Sequence, residues 1–136
     1  MKKYLTYDDV NIVPKYSELE SRGDVGLTSK LTKNVELRMP IVSSPMDTVT
    51  EVDMARAISH LGGIGFIHRF MDIERQSELV ASLGDLKVGA AVGITGDYLE
   101  RARELVWNGC NVILIDVAHG HHKLVGEAIG EIKRDI

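Results

Sequence analysis

From residue 41 onward the sequence alternates short apolar runs with longer amphipathic stretches, four times in succession. This alternation is typical of repeated βα units whose strands pair in parallel within one sheet. The apolar runs predict strands over residues 41–43, 63–67, 88–92 and 112–115. We therefore expect an α/β fold built from four parallel βα units.

Capping residues and glycines indicate where the four helices begin and end. Side chains that accept hydrogen bonds from free backbone N–H groups favour helix starts, and glycine commonly follows the last helical turn. Starts are predicted at Thr50, Asp72, Asp97 and about His122, and ends at Gly62, Gly84 and Gly109. In the third and fourth helices the residues expected to face inward are Leu99, Ala102, Val106, Val125, Ala128, Ile129 and Ile132.

Residues 1–40 have a different character from the rest of the chain. They are polar, contain Pro14 and Pro40, and show only short alternating pieces such as Val10-Asn11-Ile12-Val13. We interpret residues 1–40 as an N-terminal extension and residues 41–136 as the βα domain.

Two architectures accept four consecutive βα units. One is an open doubly wound sheet, and the other is an arc of a closed eight-stranded barrel, which needs roughly 250 residues in full. The length of this chain, 136 residues, is too short for a full barrel and favours the open sheet. However, Ser43-Ser44-Pro45-Met46 follows the first strand, where a dinucleotide-binding open sheet would carry a glycine-rich phosphate loop.

Composition excludes several classes of function. The net charge of −4 includes no basic block that would indicate nucleic-acid binding. No apolar run approaches the roughly 20 residues that a membrane span needs, and acidic residues follow Lys3 where a signal peptide would be apolar. With Cys110 as the one cysteine, no internal disulfide can form. We expect a cytoplasmic protein that binds small molecules, neither nucleic acid nor a membrane.

Four segments carry longer motifs: LTYDDV at 5–10, VSSPMDTVTE at 42–51, GGIGFIH at 62–68 and IDVAHGH at 115–121. Together they resemble the inosine monophosphate (IMP) dehydrogenase and GMP reductase family, and the second motif is highly specific. The resemblance implies that residues 41–136 form half of a (β/α) TIM barrel, its first four βα units. It also implies that the catalytic cysteine loop, the monovalent-cation site and the main phosphate-binding loops belong to the second half of the full enzyme.

Polar residues follow each predicted strand, at the edge where βα barrels bind their ligands. By resemblance, Ser44, Met46 and Asp47 would bind the purine nucleotide. Asp116 would accept hydrogen bonds from the nicotinamide ribose, and we place Gly93 and Thr95 with it in the cofactor site. His68 is expected to support the site without catalysing the reaction.

The resemblance implies a portion of a purine-nucleotide oxidoreductase, and it favours IMP dehydrogenase. In that reaction a cysteine attacks C2 of IMP, hydride passes to NAD, and hydrolysis releases xanthosine monophosphate (XMP) for guanine nucleotide biosynthesis. The alternative is GMP reductase, which converts GMP to IMP with NADPH. This sequence differs from many dehydrogenases of the family in the residues that it carries at two places, Val117 and the pair Ile94-Thr95. A third alternative is a noncatalytic half-barrel that associates with itself or with a second half-barrel.

Cys110 is the tempting nucleophile, but it precedes the fourth strand, at the rim where barrels carry stabilising residues. We expect a packing role for it, no catalytic residue in this chain, and no turnover by the chain alone. His119, His121 and His122 near Asp116 suggest metal ligands. Because no helical H-x-x-x-H spacing or partner cysteine supports that interpretation, we predict no metal site.

Overall fold

A computed structural model of the chain describes residues 2–136. Its first part contains two short 3-10 turns, Tyr7–Asp9 and Arg22–Asp24, followed by an antiparallel hairpin of β1 (Ser29–Lys30) and β2 (Glu36–Leu37). Strands and helices then alternate: β3 (Val42–Ser43), α1 (Val52–His60), β4 (Ile64–Ile67), α2 (Ile73–Ala81), β5 (Val88–Val92), α3 (Tyr98–Trp107), β6 (Val112–Ile115) and α4 (Lys123–Asp135). The α/β fold with four βα units is confirmed.

The strands β3 to β6 form one parallel sheet in their order along the chain. Buried residues from α1, α2 and α3 pack with Ile67, Val88, Ala90 and Val92 on one face, and α4 joins them through Ile132. A doubly wound sheet instead reverses its strand order and carries helices on both faces. The observed order and the one-sided helices therefore differ from those of an open doubly wound sheet.

The opposite face of the sheet is covered in part by the hairpin. Leu37 of β2 packs with Ile64 and Phe66 in a second apolar cluster, which Val112 and Leu114 border. The hairpin is also anchored by Lys87, whose ammonium group donates a 2.6 Å hydrogen bond to the Glu36 carbonyl. Residues before position 40 thus contribute to the core of the sheet.

Three of the four predicted helix starts directly precede a helix, namely Asp72, Asp97 and His122, whereas the start predicted at Thr50 is wrong. Asp72 caps α2 as predicted, because its carboxylate accepts a 2.7 Å hydrogen bond from the Arg75 N–H. Thr50, in contrast, is buried, and its hydroxyl donates to the Ser44 carbonyl, while Glu51 occupies the position before α1. Asp97 precedes α3, but its carboxylate pairs with Arg101 and makes no cap bond.

The inward face of α3 is rotated from the prediction. Ala102 is buried as expected, but Val106 is exposed, and Arg101 and Leu105 are buried in its place. A charged residue can occupy this position because its guanidinium finds two polar partners there. On α4, Val125 and Ala128 are buried, whereas the predicted inward residue Ile129 is exposed.

The longest helix of the described chain, α4, has 13 residues. No helix among residues 2–136 has the length and apolar character that a bilayer crossing requires.

Candidate functional site

Two adjoining clefts lie at the C-terminal ends of the four parallel strands. The first has a volume of about 500 Å³ and is lined by Ser44, Pro45, Met46, Asp47, Phe70 and Asp116. The second, of about 310 Å³, is lined by Arg69, Gly93, Ile94, Thr95, Asp97, Arg101, Val117 and Ala118. Loops after all four strands therefore contribute to one rim, as parallel strand ends should.

The loop between β3 and α1 is folded tightly onto itself. The buried Thr50 hydroxyl donates a 2.5 Å hydrogen bond to the Ser44 carbonyl, and the Thr50 N–H donates to the Met46 carbonyl at 2.9 Å. These bonds hold the backbone of residues 44–50 while Met46 keeps a half-exposed side chain. The loop thus presents Ser44, Met46 and Asp47 to the first cleft.

His68 ties this loop to the end of β4. The imidazole is buried, and its Nδ1 accepts a hydrogen bond from the Phe70 N–H at 3.3 Å. That bond assigns the ring proton to Nε2, which donates to the Glu51 Oε1 at 3.1 Å. His68 therefore has both ring nitrogens occupied, in agreement with the supporting role predicted for it.

Arg69 lies where the two clefts meet. Its Nε is 3.6 Å from the Asp116 Oδ2, and the centre of the guanidinium is 5.5 Å from the centroid of the Phe70 ring. The Asp116 N–H donates to the Val92 carbonyl at 2.9 Å, which fixes the backbone of Asp116 at the end of β5. Asp116 thus faces the cleft as a partly exposed carboxylate beside a cation.

A buried polar network supports the second cleft. The Arg101 guanidinium donates to the Gln76 Oε1 at 2.9 Å and to the Asp97 Oδ2 at 2.7 Å. The Gln76 amide in turn donates to the carbonyls of Ile67 and Ala91, at the ends of β4 and β5. Two helices and two strand ends are therefore joined directly beneath the loop that carries Gly93 and Thr95.

The six residues predicted for the site lie at the same rim but divide between the two clefts. Ser44, Met46, Asp47 and Asp116 line the first cleft, and Gly93 and Thr95 line the second. A hollow of about 630 Å³ also lies on the helix side, between α1 and α2, and shares Asp47 with the first cleft. It contains no other predicted residue, so its size does not make it the better candidate.

Sequence reasoning missed four polar or aromatic residues of the rim: Arg69, Phe70, Gln76 and Arg101. The first two directly follow the GGIGFIH motif, so their position after a strand could have identified them. Gln76 and Arg101 lie within amphipathic helices, where a polar residue ordinarily indicates the solvent face. Nothing in the local sequence marks them as buried.

Cys110 lies at the other edge of the sheet, just before β6. Its Sγ is within hydrogen-bonding distance of the Val112 carbonyl at 3.2 Å. Burial raises the pKa of the Cys110 thiol to about 11, against weaker opposing hydrogen bonds. Because the thiolate and not the thiol is the nucleophile, this cysteine is a poor nucleophile at neutral pH.

Three histidines follow β6, and those with contacts contact residues close to them in the sequence. They are His119, His121 and His122. The Leu124 N–H donates a 3.2 Å hydrogen bond to the His122 Nδ1, which caps α4. The rings of His119 and His122 meet edge to face with centroids 6.5 Å apart. In residues 2–136, no three His, Cys, Asp or Glu side chains are grouped so that they could hold a metal ion.

Comparison with known proteins identifies relatives along nearly the whole chain. Residues 4–136 match the model of the family described as IMP dehydrogenase / GMP reductase domain. A protein named inosine-5'-monophosphate dehydrogenase from Cryptosporidium parvum is 37% identical over 96% of this chain and 43% of its own length. One of the same name from Borreliella burgdorferi is 34% identical over 97% of this chain and 45% of its own. A third, from Nitrosopumilus maritimus, is 52% identical over 58% of this chain. The chain thus spans less than half the length of these relatives.

Proposed function

Because this chain belongs to the IMP dehydrogenase / GMP reductase family, we propose that it is the nucleotide-binding portion of a purine-nucleotide oxidoreductase, specifically an IMP dehydrogenase. The observation that carries the proposal is the first cleft. Ser44, Met46 and Asp47 from the loop after β3 meet Asp116 from the end of β6 there, although some 70 positions separate them in the sequence. Those are residues that the family resemblance selects for substrate and cofactor.

We extend this proposal to the architecture. Residues 41–136 would be the first four βα units of a TIM barrel, preceded by an extension over residues 1–40. The support is that sequential strands are neighbours in space and that the helices pack on one face of the sheet. Within the described chain, β3 and β6 each pair with only one strand. A second half-barrel, or a second copy of this chain, would pair with those free edges.

The purine nucleotide would occupy the first cleft. Ser44 offers a hydroxyl that both donates and accepts, and Met46 offers a half-exposed, polarisable thioether as a surface for the base. Asp47 adds an acceptor. The bond from Thr50 to the Ser44 carbonyl keeps all three in place before any ligand arrives.

The nicotinamide cofactor would bind beside it, with Asp116 as the ribose acceptor and Gly93 and Thr95 along the second cleft. The chemistry of the residues fits, because an ionised carboxylate offers only acceptors to the two ribose hydroxyls. When bound, NAD supplies the hydride acceptor, or NADPH the hydride donor in a reductase. By resemblance, the monovalent cation of the full enzyme would be held by residues of the second half-barrel.

Two alternatives rest on specific observations. GMP reductase is favoured by the sequence Val117-Ala118-His119-Gly120 after Asp116, whereas the dehydrogenase names of the relatives favour IMP dehydrogenase. A noncatalytic binding module is favoured by Cys110, whose burial leaves the chain without a reactive thiolate.

Calorimetric titration of the chain with IMP and with GMP tests the proposal. Loss of the Ser44 hydroxyl removes one neutral hydrogen bond, so Ser44→Ala should weaken nucleotide binding about fivefold. Ser59→Ala is the matched control, because Ser59 lies near Arg38 and Gly62 at the opposite edge of the sheet. Equal affinities of the two variants, or no binding by the unmodified chain, would contradict the proposal.

A further inference from the structure

We propose that Arg69 is a further ligand-binding residue of this site, and that its guanidinium binds the phosphate of a nucleotide whose ribose is held by Asp116. This inference rests on the proposed cofactor site and adds to it the group that recognises the anionic part of the ligand.

The position of Arg69 is the first argument. It lines the second cleft, yet its Nε is 3.6 Å from Asp116 and its guanidinium is 5.5 Å from the ring centroid of Phe70, both of which line the first cleft. Gly93 leaves one flank of the guanidinium uncovered, since a Cβ on that residue would be 3.6 Å from the Arg69 Nη1. A ligand that runs from one cleft to the other would pass this side chain.

The free hydrogen-bonding capacity of Arg69 is the second argument. A guanidinium has five N–H donors. The Arg69 Nε is buried without a hydrogen-bond partner among the described residues, and its 3.6 Å separation from Asp116 is too long for a hydrogen bond. Arg101, the other arginine of this cleft, already donates to Gln76 and Asp97. The Arg69 side chain is about one third exposed, whereas that of Arg101 is buried, so Arg69 is the cation of this cleft that a ligand can reach.

Charge gives the third argument. Asp47, Asp97 and Asp116 all line the two clefts and would repel a phosphate. Arg69 offsets that repulsion beside Asp116, and the planar fork of a guanidinium matches two phosphate oxygens. The 5′-phosphate of a nucleotide is attached to the same ribose that Asp116 would hold. Because Arg69 is next to Asp116, that phosphate comes within its reach.

The test compares nicotinamide mononucleotide with nicotinamide riboside, two probes that differ by one phosphate. Arg69→Met keeps much of the side-chain length and removes the charge. It should weaken calorimetric binding of the mononucleotide about tenfold or more and leave the riboside within about twofold. Arg69→Lys should retain part of the affinity, because it keeps the charge but loses the fork. Arg103→Met is the control, since Arg103 also pairs with an aspartate, Asp135, but on the outer side of α3.

Each outcome decides the question. Equal losses for both probes, or no loss for either, would overturn the role of Arg69 and leave the Ser44 test of the proposed function intact. If the unmodified chain binds neither probe, the cofactor site and this inference are both wrong. If circular dichroism shows that the Arg69→Met variant is unfolded, the salt dependence of binding by the unmodified chain tests the proposal instead. The affinity of the unmodified chain for the mononucleotide must fall with added salt more steeply than its affinity for the riboside.

Discussion

The Arg101 guanidinium donates a hydrogen bond of 2.9 Å to the Gln76 Oε1, which joins α3 to α2 inside the protein. Through its amide nitrogen Gln76 also satisfies the carbonyls of Ile67 and Ala91. The loops that form the second cleft begin just after these carbonyls, so the network holds the strand ends from which the site is built.

We predict that this network dominates the polar contribution to stability. Gln76→Leu leaves the buried Arg101 charge with Asp97 alone and removes a donor from two carbonyls, so it should cost about 3 kcal/mol. Arg101→Met removes the buried charge itself, so it should lower the free energy of unfolding by less than Gln76→Leu does. Arg103→Met removes an exposed ion pair and should lower it by under about 1 kcal/mol. Urea denaturation measures all three. A Gln76→Leu variant as stable as Arg103→Met would contradict the interpretation.

The parts of the fold that sequence patterns predicted are those that depend on local signals. Strands 88–92 and 112–115 have the predicted bounds, because each is an uninterrupted apolar run. The start of α1 was predicted at Thr50, but the Thr50 hydroxyl donates to the Ser44 carbonyl six positions earlier and does not cap the helix. The orientation of α3 was missed because Arg101 is buried by partners 25 positions away and on the preceding turn.

The candidate site, like the fold, contains residues that the sequence predicted and residues that it did not. Four of the six residues that line the first cleft were predicted, namely Ser44, Met46, Asp47 and Asp116, since parallel strand ends must meet at one edge and the motifs select among the residues there. Arg69 and Phe70 were missed, although they follow β4 in the same way. That Arg69 joins the two clefts depends on distances to Asp116 and Phe70 that no spacing in the sequence predicts.

Two glycines provide a second, matched prediction. A Cβ at Gly89 would lie 2.3 Å from the Phe66 ring, which packs beneath Leu37, so Gly89→Ala should destabilise the chain by about 1 to 3 kcal/mol through overpacking. Gly126 lies within α4 with nothing close to its Cβ position, and Gly126→Ala should stabilise the chain by up to about 1 kcal/mol. Thermal unfolding of the two variants should therefore move in opposite directions, and shifts of the same sign would contradict this packing.

The Cys110 thiol gives a prediction about reactivity and pH. Its pKa is raised from 9.0 to about 11 by burial, so at neutral pH the thiolate fraction is about 100-fold below that of the unfolded chain. Alkylation by iodoacetamide should be slow until urea unfolds the protein. Because the folded pKa lies above the unfolded value, the stabilisation from the neutral thiol is complete below pH 9. It is lost as the pH rises toward 11. In the Cys110→Ala variant the free energy of unfolding should therefore change less between pH 9 and pH 11 than it does in the unmodified chain.

The same burial predicts that the chain by itself does not oxidise IMP. Covalent hydride-transfer chemistry needs a thiolate at the ligand-binding rim, and Cys110 is the one cysteine and lies before β6 at the other edge. Incubation with IMP and NAD, analysed by chromatography, should yield no XMP. Production of XMP that disappears in Cys110→Ser would show that both the placement and the chemistry assigned to this residue are wrong.

Self-association is the last prediction, and it follows from the free edges of the sheet. Strands β3 and β6 each have one unpaired edge within the described chain, and Ile41 and Val42 expose about half of their side chains beside one of them. Unpaired N–H and C=O groups next to apolar side chains favour pairing with another strand. Light scattering over a concentration series should therefore show dimers or larger species in the absence of a second half-barrel. Val42→Lys should shift the chain toward monomer, because a lysine on an edge strand opposes pairing. Trp107→Lys is the control, since Trp107 is even more exposed but lies at the end of α3 and not on an edge strand. If the unmodified chain stays a folded monomer at high concentration, these edges are tolerated, and the half-barrel proposal loses its main physical consequence.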